Sequence, residues 1–134
     1  MSGCHCYEIH QIFLFSIKES GEFAINIPHV GLAKQVRWCG TVSGKRVDKF
    51  QESGLTPLPA KLIKAPLIKE CIGHLECHLK RIYPVDEHAI LVGKVVRATV
   101  DSNLFNGHWI LNKARTIHYL GNQFFGILEN RIKI

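Results

Sequence analysis

The residues with the clearest chemical content lie in one short stretch, Gly40-Thr41-Val42-Ser43-Gly44-Lys45-Arg46, followed by Asp48-Lys49-Phe50. A glycine lets backbone N–H groups approach a bound anion and cationic side chains neutralise it, so Ser43, Gly44, Lys45 and Arg46 form a candidate phosphate loop. The same string also describes a solvated loop, since a lone S-G-K-R is too short to be specific. Of the next two residues, Phe50 is expected to anchor the core and Lys49 to face a ligand. His118 beside Tyr119 offers an aromatic face with a polar handle, suited to stacking, although packing is the simpler role for Tyr119. Cys4, His5, Cys6 and His10 combine thiolate and imidazole, the ligands zinc prefers. A C-x-C with no second ligand pair is a weak site, and no metal is expected. Neither a G-x-S-x-G elbow nor a Cys–His pair set by spacing occurs, which speaks against a serine or cysteine hydrolase.

The elements that carry these residues are readable from periodicity. Ser16 to Gly21 reads as the end of a short helix, with Gly21 in the left-handed turn that stops it. Glu22-Phe23-Ala24-Ile25-Asn26-Ile27 alternates polar and apolar residues until Pro28, as a half-buried strand does. From His29 to Cys39, Val30, Ala33, Val36 and Trp38 mark one face of a small amphipathic helix. Val47 to Gln51 begins a helical turn that Ser53-Gly54 ends, and Pro57 and Pro59 impose an extended path. Two long strands follow, from Cys71 to Tyr83 and from His88 to Val100, joined by a turn at Pro84-Val85-Asp86-Glu87. In the first, Leu75, Cys77 and Leu79 share one face while Glu76, His78 and Lys80 share the other. The second, Ala89 to Val96, is apolar on both faces and is expected to be buried on both, with Gly93 marking a close approach or bend. The tail, from Asn106 to Ile134, has turn signals at Asn106-Gly107 and Gly121-Asn122 around Ile117 to Leu120.

Composition bounds the partners. A chain of 134 residues can bury one core, so one domain is expected, with 46% hydrophobic and 21% charged residues as in a globular protein. The apolar run Ile12-Phe13-Leu14-Phe15 is too short to span a bilayer and no cationic segment precedes it. The five cysteines are odd in number and irregularly spaced, which fits reduced thiols in the cytoplasm. A net charge of +6 favours anionic partners without choosing between a phosphorylated cofactor and a nucleic acid.

Order and spacing narrow this further. Ile17-Lys18-Glu19-Ser20-Gly21-Glu22-Phe23, then Ser43-Gly44-Lys45, Asp48-Lys49-Phe50, Gly54-Leu55-Thr56-Pro57, Ala65-Pro66, Leu75-Glu76-Cys77, the stretch from Glu87 to Val95, and His118-Tyr119-Leu120-Gly121 together resemble the flavin reductase-like, FMN-binding split-barrel family. The resemblance implies a mainly β fold with short helices, a Greek-key split barrel, that forms a homodimer and holds FMN near the subunit interface. It also implies a nicotinamide nucleotide, NAD(P)H, as electron donor. On this reading Ser43, Gly44, Lys45, Arg46 and Lys49 serve a cofactor or donor phosphate, and His88 hydrogen-bonds the flavin or the nicotinamide carboxamide. His118 and Tyr119 belong to the C-terminal element that reaches the cofactor region. A hairpin-end histidine facing water is the plain alternative for His88.

The resemblance covers residues 17–126. Members of the family place several strands before the I-K-E-S-G-E-F element. Here only residues 1–16 precede it, and Phe13 stands where a serine or threonine is usual. The expectation is therefore a divergent segment over residues 1–16 and a partial, N-terminally truncated split-barrel domain over residues 17–134. Two other functions compete with flavin reduction: a dimeric interaction module without flavin, and a basic barrel that binds nucleic acid. The last ranks lowest, because lysines and arginines are spread along the chain and not clustered with Trp38, Trp109 and Tyr119.

Overall fold

The computed structural model describes residues 3–86 and 88–133, with side chains from residue 12 onward. The Cys4, His5, Cys6 and His10 cluster and the Glu87 end of the hairpin turn lie outside the described residues and side chains. Helix α1 spans Gly3–Ser20, so it runs through residue 16 and is longer than the short helix end expected. Gly21, at φ +68°, stops it in the left-handed region as its position suggested. Strand β1 is Glu22–Ile27, the alternating segment itself. A 3-10 turn at Val30–Leu32 then leads into α2, Ala33–Thr41. The face expected to be apolar there is not a core face, because α2 contributes no buried residue and Val36 is exposed.

Helix α3, Lys49–Ser53, begins at Asp48, whose carboxylate accepts from the N–H groups of Phe50 and Gln51, and ends at Gly54, at φ +71°. Short strands β2, Pro57–Leu58, and β3, Leu67–Ile68, pair with each other. Two strands of 13 residues follow, β4, Gly73–Val85, and β5, His88–Val100. After α4, Leu111–Ala114, the strands β6, Ile117–Gly121, and β7, Phe124–Ile127, form a separate hairpin through a turn with Asn122 at φ +53°.

The main sheet has the order β1-β4-β5 and is antiparallel throughout. β1 pairs only with Gly73 to His78, so the outer half of the β4–β5 hairpin continues as a two-stranded arm. Register sorts the residues by chemistry. Phe23, Ile25 and Ile27 lie opposite Cys77, Leu75 and Gly73, while Glu22, Ala24 and Asn26 lie opposite His78, Glu76 and His74. The first face is apolar. The second is covered by residues 61–68, a strap that returns across it after β2 and ends in β3.

That strap is held by side chains reaching backbone groups. Glu76 accepts from the amides of Lys61 and Leu62, Glu22 from those of Lys64 and Ala65, and Asn26 Oδ1 from that of Ile68. His74 Nε2 meets the Ile68 carbonyl oxygen at 2.8 Å. Glu76 does lie on the face opposite Leu75 and Cys77, as its alternation implies, but that face is not open to solvent at Glu76. Its residue is only 1% exposed, because the strap covers that part of the sheet. Burial alone pushes the Glu76 carboxyl up, but the Leu62 and Lys61 amides, the Arg97 guanidinium and the Ile63 amide together hold it below its ordinary value.

Expected burial of β5 on both faces is also corrected. β5 is an edge strand, and Ile90, Val92 and Val95 are 42–58% exposed in the single chain. Gly93 does mark a close approach, since a Cβ there would stand 2.5 Å from Phe23 Cζ. Among the described residues the buried apolar ones are Ile17 of α1, Leu32 of the 3-10 turn, Ile63 and Leu67 of the strap, Cys71 and Ile72 just before β4, Cys77 of β4 and Ala114 of α4. Cys77, on the face it shares with Leu75, is buried. No described helix is long and apolar enough to cross a membrane.

Candidate functional site

The loop between α2 and α3 is built around one serine. Ser43 is 2% exposed, and its hydroxyl accepts from the Lys45 amide at 3.3 Å. Its carbonyl oxygen accepts from the amides of Arg46 and Val47 at 3.0 and 3.3 Å. Three consecutive N–H groups of the loop therefore turn inward onto Ser43. What the loop presents outward is side chains, with Gly44, Lys45 and Arg46 all exposed. The amides of Lys45, Arg46 and Val47 thus form no outward-facing cradle, and the charged groups on the outer side of the loop are an ammonium and a guanidinium.

Gly44, Lys45, Arg46, Val47, Asp48 and Lys49 line an open concavity of about 550 Å³. Lys49, expected to face a ligand, instead places Nζ 2.6 Å from the carbonyl oxygen of Cys39, in the last turn of α2. An ammonium at a helix C-terminus satisfies an orphan carbonyl and the negative end of the helix dipole. Burial pushes the Cys39 thiol up, and nearby Lys49 partly offsets this. Lys49 thus couples α3 to α2 and sets the loop between them, with Asp48 capping the next turn. Phe50 is half-buried and not a full core anchor.

A second concavity, of about 570 Å³, adjoins the first through Lys45 and is lined by Ile12, Leu14, Phe15 and Lys18 of α1. Lys18 was not singled out from sequence, where it reads as a helix-end cation. The spacing Ile12, Phe15, Lys18 along one helix face is the pattern that points to it.

The remaining candidates lie on other elements. His88 opens β5 and is exposed. His118 and Tyr119 lie on β6, both exposed, and Tyr119 at 66% exposure is not packed into the core. Its ring leans on Phe125, centroids 5.5 Å apart, and its hydroxyl donates to the Asn122 carbonyl oxygen at 3.5 Å. Among the described residues the β6–β7 sheet has two strands, and none lies over that ring.

A mainly antiparallel β fold with short helices, a long β4–β5 hairpin and sheets that do not close into a full barrel defines the split-barrel class. Solved structures of that class superpose on most of the chain. Flavoredoxin of Desulfovibrio vulgaris matches 91% of it, with 67% of its own length covered, a TM-score of 0.81 and 24% identity. Flavoredoxin from Methanosarcina acetivorans matches 88%, with 63% of its own length covered, a TM-score of 0.76 and 27% identity. An uncharacterised protein of Archaeoglobus fulgidus is 33% identical over 76% of this chain and 58% of its own length. The chain spans little more than half the length of such relatives. The sequence profile described as "Flavin reductase like domain" matches residues 14–121. The chain belongs to the flavin reductase-like family.

Proposed function

We propose that this chain binds FMN through the loop of residues 43–49 and serves NAD(P)H-dependent flavin reduction or electron transfer as a cytoplasmic homodimer. The observation that carries this reading is the cationic concavity on the very segment, Ser43 to Phe50, that belongs to the family match. Lys45 and Arg46 fit the phosphate end of a flavin nucleotide by charge, and Lys49 holds the loop in place from behind. When bound, the isoalloxazine itself carries the hydride or electron chemistry, so the chain's task is to orient it and set the charge around it. No nucleophile or acid–base pair is required, which agrees with the dispersed histidines. His88, His118 and Tyr119 are assigned to the ring or the nicotinamide carboxamide, and the exposed ring of Tyr119 is suited to stacking. The apolar edge of β5, with Ile90, Val92 and Val95 open, supports a homodimer that covers it.

The test is a flavin fluorescence titration of the parent and of the Lys45→Ala/Arg46→Ala double variant across a salt series. Two phosphate-facing cations lost from an exposed site should weaken FMN binding by roughly 10-fold and flatten its salt dependence, with little change in melting temperature. A variant that melts much earlier yet binds FMN like the parent would make the loop structural. A second reading, a dimeric interaction module without flavin, is favoured by the inward-turned amides of the loop. It predicts a stable dimer in sedimentation with no flavin bound at any practical concentration.

A further inference from the structure

We infer that the concavity between α1 and Lys45 is a binding site for a small aromatic carboxylate, separate from the flavin phosphate loop. Its described lining is chemically one-sided: Ile12, Leu14 and Phe15 give an apolar wall, and Lys18 and Lys45 are its only charged groups, both cationic. Phe15 is 64% exposed, an aromatic face held open to solvent on a helix whose neighbouring Ile17 is 3% exposed. A flat apolar body covers such a wall, and a single anionic group answers two ammonium groups.

The same lining disfavours the isoalloxazine itself. That ring carries hydrogen-bonding groups along one long edge, and among the described residues the wall offers them nothing but the two ammonium groups. A hydrocarbon ring system with one carboxylate leaves no polar atom unpaired there. At about 570 Å³ the space is ample for a bicyclic ligand, and the adjoining loop concavity of about 550 Å³ remains for the nucleotide phosphate. Lys45 stands between the two, so an anion on one side lowers the local positive potential felt on the other. The two ligands are therefore expected to bind together but to weaken each other modestly.

The probe pair is 2-naphthoate and its neutral isostere 2-naphthamide, titrated by calorimetry against the parent, Lys18→Met and Phe15→Ala. Naphthoate should bind about 10-fold more tightly than naphthamide, and the preference should shrink as salt rises. Lys18→Met should weaken naphthoate by about 3- to 5-fold and leave naphthamide unchanged, while Phe15→Ala should weaken both. Equal affinity for acid and amide, or equal losses in Lys18→Met, would overturn the site. So would full competition between FMN and naphthoate, which would put the flavin ring on this wall. Naphthoate binding to a chain that takes up no FMN would sink the flavin proposal and leave this one standing. Circular dichroism melts of both variants separate lost binding from lost folding.

Discussion

Replacing Gly93 by alanine tests how the sheet is packed beneath the β4–β5 arm. Gly93 is not in the left-handed region, so alanine can adopt its backbone and the obstacle is steric alone. A Cβ would stand 2.5 Å from Phe23 Cζ, 2.8 Å from Phe23 Cε1 and 3.4 Å from Cys77 Cβ. The first two separations are far below contact distance, so the Phe23 ring must swing away from a position it holds over the sheet. Overpacking of this kind costs about 1–3 kcal/mol, offset by roughly 0.5–1 kcal/mol from the smaller entropy of the unfolded alanine chain. The net is a loss of about 1–2 kcal/mol. At about 2.1 cal/mol/K per residue, a chain of 134 residues has an unfolding entropy of about 0.28 kcal/mol/K. The melting temperature should therefore fall by about 4–7 °C.

A coupled measurement locates the cause. Phe23→Leu removes the atoms that clash, so the double variant Gly93→Ala/Phe23→Leu should be more stable than the two single losses added together, by about 1 kcal/mol. Calorimetric or circular dichroism melts of the four proteins read this directly. A Gly93→Ala protein that melts within about 1 °C of the parent, or strict additivity in the cycle, would refute the close approach of Phe23 to Gly93.

Two further outcomes follow from titratable groups. The carboxyls of Glu70 and Glu76 are held below their ordinary value of 4.5, so their stabilising contribution is present above that pH and is lost as pH falls through their depressed folded values. Glu76→Gln should accordingly lower the melting temperature at pH 7 and show a smaller further drop toward pH 3 than the parent. Equal acid slopes for the two proteins would count against a charged Glu76 holding the strap. The Cys71 thiol is pushed up from 9.0 to about 11 by burial, with a smaller push from Glu70, so its contribution is complete below pH 9 and declines as pH rises toward 11. Iodoacetamide at pH 8, followed by site-resolved mass spectrometry, should leave native Cys71 and Cys77 largely unmodified until denaturant is added. Fast native labelling of Cys71 would contradict its burial.

Much of the main sheet was legible because its cues are local. Gly21 and Pro28 frame β1, its alternation gives the two faces, and the long apolar strands on either side of Pro84 and Asp86 leave little choice but a hairpin. Gly93 stood out for the same reason, as a small residue amid bulky neighbours. Alternation, however, assigns a side chain to a face without saying what lies over that face. The alternation put Glu76 on the polar face, but the strap that covers it comes from residues 61–68, a contact no local pattern encodes. β5 read as doubly buried because apolar content was taken for burial, whereas an edge strand leaves one side open. In the candidate site, the cationic character of Lys45 and Arg46 was plain from residue types. Lys49 bonding back to Cys39, and Ser43 drawing three amides inward, depend on how α2 and α3 meet. Lys18 was passed over because a cation near a helix end is usually solvated, and only the loop folded beside it makes it part of a concavity.

The distribution of charge links the fold to the proposed chemistry. Glu22, Asp48, Glu70, Glu76 and Asp101 all accept hydrogen bonds from backbone amides, holding the strap, capping α3 and closing turns. These are five of the chain's eleven acidic residues. A carboxylate fixed on backbone N–H groups is oriented toward the chain, so its charge is partly answered there and is poorly placed to neutralise a distant ammonium. Among the bases, Lys18, Lys45 and Arg46 stay at the surface around two adjoining concavities. Five acids thus fasten backbone, while among the bases Lys49 and Arg97 also take internal partners. On the proposed reading, the ammonium and guanidinium groups at those concavities are what an anionic nucleotide would meet on approach.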